Sequence, residues 1–179
     1  MHEVLVDLHP GDTGQYLTEI VVGPGERWAS LAAESATIHL DAATAGQPGA
    51  GVQRLVFRQA VASSLGLAPL ASKPRLLLAY VYRPKDHAEI LAFDRRITDR
   101  YTSFFSTVGE QYSGTFDVDG LPEPCIGEFS VLDAPSGPAW MAKQAAIVFP
   151  DDVEAIVEEC GLLQDRSFER FAIWLTRRD

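Results

Sequence analysis

The sequence predicts an α+β fold: a mixed, mostly antiparallel sheet packed against three or four helices in a single compact domain over residues 1–179. Three observations lead there. Short runs rich in Val, Ile and Leu recur with turn residues between them, and two longer segments carry apolar residues at helical spacing. Strand-like and helix-like stretches also alternate irregularly, not in the strict order of a doubly wound parallel sheet.

Taken in order, residues 3–8 and 16–22 read as strands, and the turn chemistry of "HPGDTG" between them suggests a hairpin with a long loop. "GPGERWASLAAES" offers a short helix, with Trp28, Leu31 and Ala32 at helical spacing, and residues 37–40 another strand. From Val52, the apolar positions Leu55, Val56, Ala60 and Leu65 form a one-sided pattern that stops at Gly66, the mark of an amphipathic helix. "PRLLLAYVYRP" is a nearly continuous apolar run closed by Pro84 and reads as a buried central strand. In "DHAEILAFDRRITDRYTSFFSTVGE", the longest helical candidate, Ile90, Leu91, Ile97, Tyr101 and Phe104 share an inward face. Asp94, Arg95, Asp99 and Arg100 are expected to face water.

After Gly114 the period shifts towards two, so "GTFDVDG" and "CIGEFSVLDA" read as paired strands, with "AAIVFP" a further short one. "PDDVEAIVEECG" is marked as a helix by Pro150, Asp151 and Asp152 at its start and by Gly161 at its expected stop. "FERFAIWLTRRD" supplies a closing strand over residues 171–175.

The charge is unevenly placed. The net charge is −10, and between Tyr101 and Asp165 there are twelve acidic residues against one basic residue, Lys143. Such a field repels nucleic acid and attracts cations or basic proteins. No apolar run approaches the roughly 20 residues that span a bilayer. The start "MHEVLVDLHPGD" lacks the basic-then-apolar order of a secretory leader, and Cys125 and Cys160 make no disulfide framework. These features give the expectation of a cytoplasmic protein with neither nucleic acid nor membrane as partner.

Few motifs carry chemistry. Gly46 and Gly51 have the spacing of a phosphate-binding loop, but Val52 and Gln53 stand where a lysine and a hydroxyl residue belong, and Pro48 removes an N–H donor. No cofactor is implied. Asp117 and Asp119 share one strand face, yet Gly120 follows directly, which breaks a calcium-loop pattern, and no metal is expected. Arg96 and Arg100 are at helical spacing and could hold an anion. Glu123 and Glu128 near Cys125, and the acidic helix around Cys160, disfavour a thiolate at either cysteine.

Two functional expectations follow. The first is an acidic protein-binding module, of the kind that neutralises a basic toxin or nuclease by covering its cationic site. Its positively charged partner would dock on Asp117, Asp119, Glu123, Glu128, Asp151, Asp152, Glu154 and Glu158. Rings at Phe104, Phe105, Tyr112, Phe116, Phe129 and Trp140 lie among these carboxylates in sequence. The alternative is a small-molecule enzyme using His39 and Asp41, with His9, as an acid–base group beside the glycine-rich loop at residues 46–51.

Overall fold

A computed structural model of the chain describes residues 2–23 and 31–179. Eight strands close into an antiparallel barrel: β1 (Glu3–His9), β2 (Tyr16–Val22), β3 (Ser35–His39), β4 (Gln53–Ala62), β5 (Leu76–Arg83), β6 (Glu110–Asp119), β7 (Cys125–Leu132) and β8 (Glu169–Arg177). Around the barrel the order is β1-β3-β2-β8-β5-β7-β6-β4, and β4 pairs back onto β1. Four helices accompany it: α1 (Ala68–Ala71), α2 (His87–Thr107), α3 (Gly137–Ala145) and α4 (Asp151–Asp165). The expected α+β arrangement of an open sheet on helices is therefore corrected to a closed all-antiparallel barrel with helices on its outside.

Strict alternation builds this barrel. Val4, Val6 and Leu8 of β1, Leu77, Ala79 and Val81 of β5, and Phe171, Ile173 and Leu175 of β8 point inward and are buried. An eight-stranded barrel is just wide enough for side chains to fill it. Here Phe57, Phe116 and Phe129 meet at its centre, with ring centroids 4.5 to 6.2 Å apart. The outer surface of β1 and β4 is charged: Asp7 pairs with Arg54, and Glu3 with Arg58. A packed apolar interior with a charged outer wall is the reverse of a membrane-spanning barrel.

The decisive departure from the sequence reading is β4. Its alternation (Leu55 and Phe57 inward, Arg54, Val56 and Arg58 outward) is broken by a bulge between Gln59 and Val61, after which Val61, opposite Thr115, is buried on the outer face, the side on which Thr115 reaches Asp94 of α2. That extra residue turns a period of two into a pattern that imitates a helix. The expected β1–β2 hairpin is also replaced: β3 lies between them and pairs with both. Residues 10–15 cross its start, where the Ser35 hydroxyl receives the N–H groups of Thr13 and Gly14 and donates to the Gly11 carbonyl.

The short strand expected at "AAIVFP", residues 145–150, does not form: Ala145 ends α3, and residues 146–150 belong to neither helix nor strand. The N-terminal signals of α3 are Ser136, whose hydroxyl accepts the Ala139 N–H at 3.3 Å, and a proline in the first turn. α4 runs through Gly161 to Asp165 instead of stopping there. The helix expected around Trp28 lies largely outside the described residues.

α2 and α4 are clamped together by Arg96–Glu159 at 2.6 Å and by a two-point contact of Arg100 with Asp152. The two arginines considered as an anion site therefore hold a neighbouring helix. No described helix is long and apolar enough to cross a membrane.

Gly127 faces the barrel interior, where an added Cβ would lie 2.6 Å from Phe57 Cε1 and from Val118 Cγ2. Gly127→Ala is expected to destabilise the fold by about 1–3 kcal/mol through overpacking. Urea unfolding at fixed pH measures this, with Gly46→Ala, where no atom lies within 4 Å, as the neutral control.

Candidate functional site

Because rings fill the barrel, the space for a ligand lies on its outer wall. A pocket of about 620 Å³ opens between the outward faces of β5, β6, β7 and β8 and the three longer helices. The strands give it Leu78 and Tyr80, Glu110 and Tyr112, Glu128 and Ser130, and Ala172 and Trp174. α2 contributes Phe93, Asp94, Ile97, Tyr101 and Phe105, which share one helical face by spacings of three and four. α3 adds Trp140, Met141 and Gln144, and α4 adds Val157, Cys160, Gly161 and Gln164.

Sequence and local structure together explain how these side chains converge. A second bulge, between Tyr112 and Gly114 of β6, lets Tyr112 and Thr115 point to the same side although they are three residues apart. Their hydroxyls are 2.9 Å apart, and Thr115 donates to Asp94 Oδ2 at 2.7 Å. Gly114 makes the bulge possible: its φ is +115°, and a Cβ there would lie 2.1 Å from the Val61 carbonyl oxygen. Tyr101 stacks on Phe105 at 4.1 Å and meets Tyr112 edge-on at 5.1 Å.

The deep part of the pocket is acidic. Asp94 and Glu110 are 4% and 6% exposed, and Glu128 is half-buried beside them. Glu110 Oε1 accepts from Ser130 at 2.7 Å and from Tyr101 at 3.2 Å, and Tyr82 donates to Glu128. Among the described residues no lysine, arginine or histidine lines this pocket. Burial therefore meets no opposing positive charge from the lining and disfavours the charged forms. It pushes the Asp94 carboxyl up to about 6 against the bond from Thr115, and raises Glu110 against its bonds from Ser130 and Tyr101. Glu128 stands well above the usual carboxylate range, through burial first and then the charges of Asp94 and Glu110. Burial likewise raises the Tyr101 and Tyr112 phenols and the Cys160 thiol. The three carboxyls do not form a metal cluster: among the described residues no group of three or more His, Cys, Asp or Glu side chains is placed to hold an ion.

The partner-binding and acid–base candidates named from the sequence lie elsewhere, except for Glu128, whereas Phe105, Tyr112, Trp140 and Cys160 line the pocket. Asp117 pairs with His87 at 2.6 Å, Asp119 with Arg58, Glu123 with Arg83, and Asp152 with Arg100. Asp151, Glu154 and Glu158 are exposed along α4 and take part in no ion pair among the described residues. The rings expected to stud an interface are withdrawn from it: Phe105, Tyr112, Phe116, Phe129 and Trp140 are buried, and Phe104 is half-buried.

His39 pairs not with Asp41 but with Asp7, at 3.0 Å, and Asp7 is also gripped by Arg54 at 2.7 and 2.8 Å. Those bonds, with Arg54 foremost, hold the Asp7 carboxyl below its ordinary value. Asp41 accepts the N–H of Ala43, and His9 bonds Thr37 at 2.9 Å. The glycine-rich loop does reach this cluster, since Arg54 donates to the Gly46 carbonyl at 2.9 Å. The cysteines fit the expectation of unreactive thiols: Cys125 is buried and pushed up to about 12.

The sequence alone does not bring together the pocket residues Asp94, Tyr101, Glu110 and Tyr112, or Thr115, which supports Asp94. Asp94, expected from the sequence to face water, lies on the helical face defined by Ile90, Ile97, Tyr101 and Phe105. That position was the available signal.

Comparison with known proteins finds no matching family model, and neither a curated protein nor a solved structure that matches the chain.

The raised carboxyls fix the sign of a pH effect. Between about pH 4 and pH 6 the unfolded chain gives up a proton that folded Asp94 retains, so stability falls as pH rises through that window. Asp94 alone accounts for about 3 kcal/mol of this change, and Glu110 and Glu128 extend it upward. Asp7 works oppositely, and its contribution is lost only as the pH falls below the ordinary carboxyl range. The melting temperature is expected to be higher at pH 5 than at pH 7.5. Asp94→Asn should raise the pH 7.5 value and flatten the dependence.

Proposed function

We propose that the protein binds a small organic molecule in the pocket between the barrel wall and α2, α3 and α4. The observation that carries this reading is a cavity of about 620 Å³ with predominantly aromatic and aliphatic walls and a few polar groups deep inside. That combination is the usual composition of a ligand site, within the roughly 300–1,000 Å³ such sites occupy. Gly161 supports it. A glycine inside a helix lowers stability by about 1 kcal/mol relative to alanine. At this position a side chain would meet no atom within 4 Å, and the residue forms part of the pocket wall. Absence of a side chain there keeps the cavity open. Of the small-molecule enzyme expected at His39 and Asp41 with His9, only the small-molecule ligand is kept, and at a different site. A cytoplasmic setting accords with the two free cysteines.

A second reading, docking of a positively charged protein as in an inhibitor or immunity module, is favoured by Asp151, Glu154 and Glu158, which stay exposed and unpaired on one side of α4 among the described residues. Its surface is reduced to that helix, because four of the other five candidate carboxylates are paired and Glu128 faces the pocket. Reversing all three to lysine should release any partner retained at low salt and eluted at high salt. A partner held equally by the variant contradicts this reading.

For the pocket, N-phenyl-1-naphthylamine, a neutral fluorescent probe, should bind with enhanced emission and quench Trp140 and Trp174, which both line the cavity. Gly161→Trp fills the space and should weaken binding at least tenfold while leaving the far-ultraviolet dichroism unchanged. Unaltered probe binding by that variant would remove the pocket from consideration.

A further inference from the structure

The chemistry of the pocket's occupant follows from its unbalanced charge. Asp94 and Glu110 are more than nine-tenths buried, and both contribute to the cavity wall. Glu110 takes its two hydrogen bonds on one oxygen, Oε1, and Asp94 takes its side-chain bond on Oδ2. Carboxylates removed from water ordinarily face arginine or lysine. Elsewhere in this protein they do so: Asp7 faces Arg54, and Glu169 faces Arg83 at 3.2 Å. Within the pocket the corresponding cation is missing from the described lining, and the rings of Tyr101 and Tyr112 lie beside the carboxyls instead, Tyr101 bonded to Glu110 and Tyr112 linked to Asp94 through Thr115. Electron-rich ring faces beside carboxylates attract a weakly hydrated organic cation through both the ring quadrupole and direct charge.

A metal ion suits the site less well, since among the described residues no three ligating side chains come together. Water suits the walls poorly, because aromatic and aliphatic surface dominates them. Towards solvent the lining turns apolar, with Val21 and Met141 each about half exposed at 51% and 53%. The ligand shape that matches both ends has a positive head placed deep and an apolar or aromatic body extending to the mouth.

We propose that the pocket is selective for amphiphilic organic cations, in which a substituted ammonium group sits between Asp94, Glu110 and Glu128 and supplies the positive charge that the protein itself lacks there. This inference rests on reading the cavity as a ligand site.

The test uses a matched pair: benzyltrimethylammonium and its uncharged isostere neopentylbenzene. Each is titrated against the full chain at pH 8 by competition with N-phenyl-1-naphthylamine, and the cation also directly by calorimetry. The cation should bind at least tenfold more tightly than the isostere. Glu110→Gln and Glu128→Gln should each reduce that preference, the double variant should abolish it, and affinity for the neutral isostere should hardly change. Removing buried charge is not expected to impair folding, and retained probe binding confirms an intact pocket in each variant. Equal affinities for the pair, or no cation binding while the probe still binds, would overturn cation selectivity and leave the pocket reading standing. If neither the probe nor either member of the pair binds, both readings fail.

Discussion

The desolvation of Asp94, Glu110 and Glu128 is the constraint from which the functional account grows. Each helix that closes over the barrel wall removes water from these carboxyls, and no basic side chain among the described pocket residues replaces it. Hydrogen bonds from Thr115, Ser130, Tyr101 and Tyr82 offset part of that loss. They do not reverse it, because burial remains the largest influence on all three groups. A fold selected for stability alone would place apolar or paired residues at these positions. Unpaired acids retained beneath three helices are a local disadvantage of the kind that accompanies function.

The barrel determines where that function can sit. Phe57, Phe116 and Phe129 fill its centre so closely that Gly127 has no room for even a methyl group. A ligand cavity inside the barrel is thereby excluded at this level, and the outward face of β5 to β8 becomes the available floor. Bulges in β4 and β6 then adjust that floor. The β6 bulge brings Tyr112 and Thr115 to one side, and Thr115 carries the hydrogen bond that links the strand to Asp94 on α2. Arg96 and Arg100 hold α4 against α2, so the far wall is set by ion pairs whose individual worth is small but whose geometry positions Cys160 and Gly161.

Much of the element order was legible in the sequence, because alternation and capping are local. The strands at residues 3–8, 16–22 and 76–83 and the long helix starting after Asp86 have clear periods and ends, with the Asp86 carboxylate accepting the Glu89 N–H. β4 was illegible because one bulged residue put the buried Val61 on the opposite face from Leu55 and Phe57. Barrel closure was hidden for a different reason: pairing of β4 with β1 and β6, and of β2 with β8, depends on long-range registers that no local pattern records. The pocket was hidden in the same way. Its carboxyls come from α2, β6 and β7, and a carboxylate on a mostly apolar helix face is easily assigned to solvent. Acidity over residues 101–165 was real as composition, but arginines on β4, β5 and α2 take up several of its charges in the fold.

Site-resolved titration of the side-chain carboxyl carbons by nuclear magnetic resonance tests the central claim most directly. If the pocket acids are held out of water as described, Asp94 should titrate near pH 6, with Glu110 and Glu128 above the ordinary glutamate range and Glu128 highest. Ordinary titration of all three at about pH 4 would mean that solvent or an unrecognised cation already neutralises the pocket, and the account would be contradicted.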